Sequence, residues 1–416
     1  MMCEILNKIR KIACMLLVLL FASAVGCTTD EVVSGNNSLL GNSTVNNDVN
    51  SDDGNSNDAN SNDDYNDNQA DDTSSDSTIS QGAVKKSNFS FELVQYHPGV
   101  PGYDVEYQYV LKFKNMPISA DTVTVSSNIE GVIAKDGKII VPKDVNAKGG
   151  TLVLTAVYNK DKRYKQKISF QLKAWEKTWA DEFDSDRSNW SNYYMSASCL
   201  DKNAYVEDGC LKLDVLKEDY VASNGTPQTT SRGYVSTQGK FYQTYGCFTA
   251  RMKPTKSSYT NGGTMSSFWL MPQGNYKTDF FFKRSDRTDF WGCSEIDILE
   301  GYKMITGGSQ HTEHWWKEDG TYQGQTPKFS SNEIYKSPEE WHEFSFVWMK
   351  YGIYYYVDGK LVTWNTDIEP VANPAPAYIV FGTGVTPPGQ SGWTGSLDSW
   401  DELPQTSTID WVRVYK

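Results

Sequence analysis

Short stretches in which apolar and polar residues alternate fill the chain after residue 88. Val105–Leu111 is one example, and turn-forming residues such as Asp136-Gly137 separate these stretches. A period of two is typical of strands with one buried face, and no stretch there shows the period of an amphipathic helix. The sequence therefore predicts an all-β protein, with a small immunoglobulin-like β-sandwich over residues 89–173 and a large antiparallel sandwich over residues 174–416.

The N-terminus has the features of an export signal. Basic residues precede an apolar run from Ile12 to Ala24, which is too short for a spanning helix. The small residues before Cys27 resemble the lipobox of bacterial lipoproteins, in which the cysteine is lipidated. The alternative is an ordinary signal peptide with an incidental cysteine. We expect a lipoprotein signal over residues 1–27, a lipid anchor at Cys27, and a location on the cell surface or outer membrane that faces outward.

Residues 28–88 are rich in Asn, Asp, Ser and Thr and nearly free of apolar residues after Leu40. Such a segment does not bury enough surface to fold, and its carboxylates repel one another, so a disordered, extended tether is predicted. The whole chain carries a formal net charge of −13. Because nucleic-acid binding needs a basic surface, we exclude that class of partner.

Three carboxylates stand close together among the apolar residues of Ser294–Gly301. In a regular strand Glu295 and Asp297 share one face, whereas Glu300 falls on the other. One extra residue around Ile298-Leu299, accommodated as a β-bulge, would return Glu300 to the face of the other two acids. Such crowding raises at least one pKa, and glycoside hydrolysis uses one ionised and one protonated carboxyl group. The alternative is an edge strand whose acids face water.

Six segments of residues 174–416 match, in order, the recurrent strands of one enzyme family. They are Trp179–Phe183, Tyr245–Lys253, Ser266–Pro272, Glu295–Glu300, Trp341–Phe344 and Asp410–Tyr415. On these motifs the domain resembles glycoside hydrolase family 16, although Thr249 stands where the family usually has Glu. The resemblance implies a concanavalin-like β-jelly-roll of two curved sheets, with a polysaccharide cleft across the concave face.

The resemblance also implies a role for each acid: Glu295 is the nucleophile, Glu300 is the general acid/base, and Asp297 lies between them. Retaining chemistry sets the two reacting carboxyl groups about 5–5.5 Å apart. We therefore expect a monomeric, retaining endo-β-glycosidase that hydrolyses internal β-linkages of an extracellular polysaccharide. Two alternatives stay open: a non-catalytic carbohydrate-binding surface lipoprotein, and a transglycosylase on the same scaffold.

Other side chains are candidates for substrate binding. Trp269 and Trp291 flank the catalytic strand and are predicted to be platforms for sugar rings rather than core. The spacing of His311 and His314 puts them on opposite faces of a strand, which argues against a zinc site. The resemblance places His314 beside the acids, and Arg232 is a further candidate for substrate binding. Core positions are expected for Trp341, Trp348 and Trp411.

The substrate depends on loops that the motifs do not specify. Lys283, Arg284 and Arg287 form a basic segment in the loop before the catalytic strand. The segment is either plain surface or a contact for a sulfated sugar, since guanidinium groups suit oxyanions. The strand Ser266–Leu270 also resembles agarase- and carrageenase-like members. We expect a red-algal galactan such as agar, porphyran or carrageenan, with β-1,3- or mixed-linked glucan nearly as well supported.

No cofactor is expected for catalysis. Glu182 and Asp410 stand near the two ends of the domain, where relatives often bind a structural calcium ion, and the resemblance makes them candidate ligands. Disulfides are permitted in an exported domain, but the sequence does not give their pairing. The cysteines concerned are Cys199, Cys210, Cys247 and Cys293.

Overall fold

The computed structural model describes residues 88–273, 281–283, 290–317, 322–324, 328–337, 340–366 and 375–416. The chain divides into two units, Met1–Thr73 and Ser74–Lys416, and all described residues belong to the second. Among the helices of this described part, none is long and apolar enough to cross a membrane. The predictions on Cys27, on the tether before residue 88, and on Arg284 and Arg287 lie outside the described residues and stay predictions.

Residues 89–172 form a sandwich of antiparallel sheets, here called the N-terminal sandwich. Its strands are β1 (Phe89–Leu93), β2 (Val105–Phe113), β3 (Met116–Pro117), β4 (Val123–Ser127), β5 (Ile133–Lys135), β6 (Lys138–Val141), β7 (Gly150–Tyr158) and β8 (Lys165–Leu172). One sheet has the order β1-β2-β6-β5, with β3 beside β2, and the other has the order β4-β7-β8. Two single turns, the 3-10 helix Ala120–Thr122 and α1 (Lys143–Asn146), connect them.

The predicted alternation is confirmed in β2. Val105 and Tyr107 are buried in the core between the two sheets, whereas Glu106 and Gln108 are exposed on the other side of the strand. Period-two patterning therefore determines which face of this sheet is buried.

The remaining strands belong to a second, larger sandwich. They are β9 (Lys177–Asp181), β10 (Ser191–Asn192), β11 (Ala204–Glu207), β12 (Cys210–Val221), β13 (Pro227–Arg232), β14 (Tyr234–Ser236), β15 (Gly246–Lys253), β16 (Thr264–Pro272), β17 (Phe281–Lys283), β18 (Phe290–Gly301), β19 (Gln310–Lys317), β20 (Tyr322–Gly324), β21 (Lys328–Phe329), β22 (His342–Met349), β23 (Gly352–Val357), β24 (Lys360–Asn365), β25 (Ala377–Val385) and β26 (Gln405–Tyr415). Its short helices are α2 (Lys256–Tyr259), α3 (Met304–Gly307) and the 3-10 turns Asp201–Asn203, Asn332–Ile334 and Trp400–Glu402.

Two antiparallel sheets make up the larger sandwich. The front sheet has the order β10-β14-β25-β16-β18-β19-β20, with β17 beside β18 and β21 beside β19. The back sheet has the order β11-β12-β26-β15-β22-β23-β24, with β13 beside β12 and β9 beside β26. Fully buried aromatic side chains fill the space between them: Phe248, Phe268, Phe344, Phe346 and Phe381. The prediction of an all-β jelly-roll sandwich is confirmed.

The front sheet has one face toward this core and an outer face on the opposite side. In β16, Phe268 and Leu270 belong to the core, so Ser267 and Trp269 point to the outer face. In β25, Ile379 and Phe381 point inward in the same way.

The expected core positions of three tryptophans are confirmed only for Trp348, which is 2% exposed. Trp341 and Trp411 are partly exposed, because each packs against a guanidinium group instead of the apolar core. Arg251 lies 4.7 Å from the ring centre of Trp341, and Arg413 lies 4.0 Å from that of Trp411.

Candidate active site

The pairing of β18 with β16 changes register in the middle of the acidic stretch. Asp297 lies opposite Trp269 and Leu299 lies opposite Phe268, so Ile298 is an extra residue on its strand. This is the β-bulge that the spacing of the acids predicts, and the prediction is confirmed.

The bulge separates the apolar and acidic side chains of the strand. On the core side lie Ile296, Ile298 and Leu299, none more than 2% exposed. The acids Glu295, Asp297 and Glu300 share the outer face, where β19 presents polar side chains to two of them.

His311 holds the bulge from the core side. Its Nδ1 lies 2.8 Å from the carbonyl oxygen of Ile298, and its Nε2 lies 3.1 Å from Oγ of Ser309. The ring is 2% exposed, and burial lowers its pKa to about 4. The imidazole is therefore neutral at physiological pH, so Nδ1–H donates to Ile298 while Nε2 accepts from the Ser309 hydroxyl. The predicted opposite orientation of His311 and His314 is confirmed, since His314 bonds Asp297 on the outer face of the sheet.

Each acid has defined hydrogen-bond partners. Glu300 Oε2 accepts from Nε2 of Gln310 at 2.8 Å and from Oγ1 of Thr312 at 2.9 Å. Asp297 Oδ2 lies 2.9 Å from Nε2 of His314, and Asp297 also bonds Glu295. The structure therefore places His314 beside the acids, as expected, with Asp297 between it and Glu295.

Burial raises the pKa of all three carboxyl groups. It raises the pKa of Glu295 to about 8, and the Asp297 carboxylate adds to this rise. Burial also raises the pKa of Asp297 well above its usual range and that of Glu300 more modestly, because Thr312 and Gln310 stabilise ionised Glu300. In the free site, burial therefore favours a proton on the Glu295–Asp297 pair as well as on Glu300.

An aromatic floor adjoins the acids on the outer face. Trp269 packs edge-to-face against Tyr193, with ring centres 5.7 Å apart, in a cluster that includes Tyr234 and Tyr378. Only 4% of Trp269 is exposed, so the prediction that it forms an open platform is wrong. The backbone of Trp291 belongs to β18, but its side chain lies outside the described part, and its platform role stays a prediction.

A family model described as "Glycosyl hydrolases family 16" matches residues 194–413, which is more than half of the chain. The chain belongs to this family. The resemblance read from the motifs is thus confirmed, and so is the expected enzyme class, a hydrolase acting on O-glycosyl bonds.

Several proteins are similar to this family 16 chain. Glucan endo-1,3-beta-glucosidase A1 of Niallia circulans is 27% identical over 285 residues, which are 57% of this chain and 37% of that protein. The chain thus spans little more than a third of the length of this relative. The laminarinase catalytic domain of Thermotoga petrophila RKU-1 is 23% identical with a TM-score of 0.44, covering 58% of this chain and 98% of that one. The endo-beta-1,3-glucanase of Pyrococcus furiosus is 21% identical with a TM-score of 0.46, covering 59% and 95%.

Arg232 lies beside the aromatic floor of the family 16 domain. Its guanidinium is 5.5 Å from the ring centre of Tyr234, and Nη2 donates to Oγ of Ser196 at 2.8 Å. The Nε atom is buried and has no hydrogen-bond partner among the described residues. The charge of Glu295 also acts on the pKa of Tyr234, so Arg232 contacts a ring that lies near this acid.

Trp393 is a cleft candidate that the sequence analysis missed. It is 59% exposed and packs edge-to-face on Tyr302, with ring centres 4.9 Å apart. Tyr302 donates to Oε1 of Gln310 at 2.6 Å, and Gln310 in turn bonds Glu300. A signal was present in the sequence, namely a tryptophan in a Gly- and Pro-rich segment, but no strand pattern ties that segment to the acids.

The acids also form the one candidate metal group found among the described residues. The ligand atoms of Glu295, Asp297 and His314 lie within 4.8 Å of one another. These groups already hydrogen-bond to one another through Asp297, which accounts for their proximity.

Glu182 and Asp410, the predicted calcium ligands, each bond an arginine side chain. Both carboxylate oxygens of Glu182 accept from Arg413, each at 2.8 Å. Asp410 pairs with Arg251 at 2.5 Å. Since guanidinium groups occupy both carboxylate oxygens of Glu182 and Oδ2 of Asp410, this arrangement does not support calcium binding by these two side chains.

The cysteines whose side chains are described carry free thiols: Cys199, Cys210 and Cys247. Burial raises the pKa of Cys247, which leaves it unreactive. The side chain of Cys293 lies outside the described part, so any pairing that involves it stays open.

Proposed function

We propose that the family 16 domain is a retaining endo-β-glycosidase. The observation that carries the proposal is the bulge in β18, because it brings Glu295 and Glu300 to one face of a sheet with Asp297 between them. A protein that only binds sugars has no use for three crowded carboxyl groups, of which Asp297 is buried and Glu295 and Glu300 are partly buried.

The first step forms a covalent intermediate. Glu300 donates its proton to the glycosidic oxygen while the carboxylate of Glu295 attacks the anomeric carbon. The bond between that carbon and the glycosidic oxygen breaks, one part of the polysaccharide leaves, and the other remains as an ester of Glu295.

The second step releases this ester. Ionised Glu300 takes a proton from water, whose oxygen attacks the anomeric carbon, so the sugar leaves, Glu295 is again a carboxylate, and Glu300 is again protonated. The hydrogen bonds from Thr312 and Gln310 stabilise Glu300 in the ionised state that this step requires.

Asp297 and His314 prepare the nucleophile. Glu295 attacks only when ionised, so the proton that burial favours on the pair must lie on Asp297 during attack. His314 fixes Asp297 Oδ2 from one side at 2.9 Å, and protonated Asp297 then donates to the Glu295 carboxylate. Asp297 thus holds the proton that would otherwise neutralise Glu295.

For substrate, we propose a β-1,3- or mixed-linked glucan. The curated relative from Niallia circulans, a glucan endo-1,3-beta-glucosidase, supports this choice. The basic segment that favoured a galactan lies outside the described residues, so the structure adds nothing to that argument.

An anionic red-algal galactan is the second candidate substrate. The position of Arg232 favours it, since a guanidinium group beside an aromatic ring near Glu295 suits a sulfate or carboxylate oxygen.

A reducing-end assay on laminarin, mixed-linkage glucan, agarose, porphyran and carrageenan tests the proposal. Release of long oligosaccharides early in the reaction indicates attack on internal linkages. An added acceptor oligosaccharide reveals any transglycosylation, because it becomes part of the product. Glu295→Gln should lower turnover roughly a thousandfold or more, whereas the exposed control Glu333→Gln should not. Activity of Glu295→Gln within a few-fold of wild type would refute the nucleophile. Binding without turnover by the wild type would instead favour the lectin alternative.

Arg232→Gln separates the two substrate classes in the same assay. On a sulfated galactan the loss of a charge-assisted bond should lower kcat/KM about ten- to a hundredfold. On laminarin the loss should be only a few-fold.

We also propose that the protein is a lipid-anchored surface protein, on the strength of the residues before Cys27. Metabolic labelling with a palmitate analogue should tag the wild type but not Cys27→Ala. Equal labelling of both proteins, or of neither, would contradict the anchor.

A further inference from the structure

A groove lies between the N-terminal sandwich and the back sheet of the family 16 domain. Its volume is about 520 Å³, which falls in the usual range of binding sites for small ligands. The N-terminal sandwich contributes Gln95, Glu106, Gln108 and Lys138, and the back sheet contributes Lys360 and Trp364.

Buried contacts fix the two walls of the groove to each other. The amide N–H of Gly99 donates to Oη of Tyr356 at 3.2 Å, and Nδ1 of His97 lies 3.2 Å from the same oxygen. Nε1 of Trp175, which lies between the sandwiches in sequence, donates to the carbonyl of Gly99 at 3.3 Å. Because Tyr356 and His97 are 1% and 5% exposed, these bonds are shielded from water, and the groove is formed before a ligand binds.

The lining combines one aromatic face with planar polar groups. Trp364 is 39% exposed and points away from the core, since its neighbours Thr363 and Asn365 are buried. Gln108 is exposed on the opposite wall. An indole face with side-chain amides around it suits a sugar ring, whose C–H face stacks while its hydroxyl groups form hydrogen bonds.

The charges of the groove are balanced. Glu106 pairs with Lys138 at 2.7 Å, and Asp104 and Lys360 contribute one further charge of each sign. Burial lowers the pKa of His97 to about 4, so this ring adds no charge near neutral pH. A groove without net charge does not select phosphates, sulfates or acidic peptides, which need a surplus of cations.

We propose that this groove is a second carbohydrate-binding site, which takes a stretch of the same neutral glucan that the acids cleave. The inference rests on the proposed function for the identity of the glucan. Trp364 belongs to the back sheet and points away from the core, whereas the acids lie on the outer face of the front sheet. The groove therefore supplies no group to the reaction, and it raises affinity only for polymers long enough to be held at a second point.

The test compares Trp364→Ala and Gln108→Ala, one from each wall, with the control Val221→Ala. Val221 is also exposed, at 68%, and does not line the groove. Each change is made in the full-length protein, with and without Glu295→Gln to stop turnover. The dissociation constant for laminarin is measured by retardation in native gels that contain it, and kcat/KM is measured on laminarin and on laminaritetraose.

Trp364→Ala in the Glu295→Gln background should weaken laminarin binding about tenfold, and Gln108→Ala by a few-fold. In the active protein, Trp364→Ala should lower kcat/KM on laminarin while leaving laminaritetraose unaffected. Unchanged laminarin affinity in both variants, with hydrolysis intact, would refute carbohydrate binding by the groove but not the proposed function. If laminarin binds through Trp364 but is not cleaved by the wild type, carbohydrate binding by the groove is supported and the proposed function fails. If the wild type neither binds nor cleaves laminarin, both fail.

Discussion

Replacing His311 by leucine tests whether the bulge in the catalytic strand depends on a single hydrogen bond. The substitution keeps an apolar side chain of moderate size but removes the donor 2.8 Å from the carbonyl oxygen of Ile298. His311→Asn is the matched control, because its amide nitrogen stands close to the position of Nδ1 and still donates to that carbonyl.

The magnitude follows from burial. Ile298 is 1% exposed, so its carbonyl has no access to bulk water when the donor is lost, and the cost is about 1–3 kcal/mol. For a domain of this size that corresponds to a fall in Tm of about 2–10 °C. If the bulge then samples other registers, Glu300 moves relative to Glu295, and a displacement of about 1 Å is enough to lower kcat roughly a hundredfold.

Calorimetry and steady-state kinetics separate the two effects. His311→Leu should lower both Tm and kcat with a smaller change in KM, and His311→Asn should recover most of kcat. A leucine variant with reduced Tm but wild-type kcat, measured well below its Tm, would show that His311 contributes only to stability and would refute its positioning role.

Three further predictions concern the acids and the exposed aromatic residue. Burial raises the pKa of Glu295 to about 8. Between the ordinary carboxyl pKa and pH 8 the folded state therefore binds more protons than the unfolded state, so the stability of the folded state falls as pH rises through that window. Glu295→Gln should therefore raise Tm more at pH 9 than at pH 5, and an equal difference at both would contradict the shift. Thr312→Val removes a hydrogen bond that stabilises ionised Glu300, so the basic limb of the pH profile of kcat/KM should move up by about one to two pH units. An unchanged basic limb would argue against Glu300 as the general acid. Trp393→Ala should raise KM about five- to tenfold with little change in kcat, since its exposed ring binds substrate rather than reacting; a fall in kcat alone would rule this out.

The catalytic strand shows what sequence alone can predict. The spacing of Glu295, Asp297 and Glu300 required one extra residue, and the register with β16 contains it at Ile298. In a strand, two side chains share a face when their positions differ by an even number, so an odd separation between residues that must share a face is visible in the sequence. The opposite orientation of His311 and His314 was predictable for the same reason.

Other features depend on contacts that parity does not specify. Trp269 does point to the outer face, but Tyr193 packs against its ring, so it is not an open platform. Trp393 approaches the acids through Tyr302, in a loop whose path has no periodic signal. The bond from His311 to the bulge carbonyl and the pairing of Glu182 with Arg413 likewise arise from tertiary packing.

The stereochemistry of the first product is the measurement that bears most directly on the catalytic proposal. Proton NMR during the first minutes of hydrolysis, on the best polysaccharide of the panel, distinguishes the two anomers before mutarotation mixes them. If the bulge sets the carboxyl groups of Glu295 and Glu300 about 5–5.5 Å apart, the β-anomer should appear first. Initial release of the α-anomer would mean inversion, and Glu295 could then not be the nucleophile of a covalent intermediate.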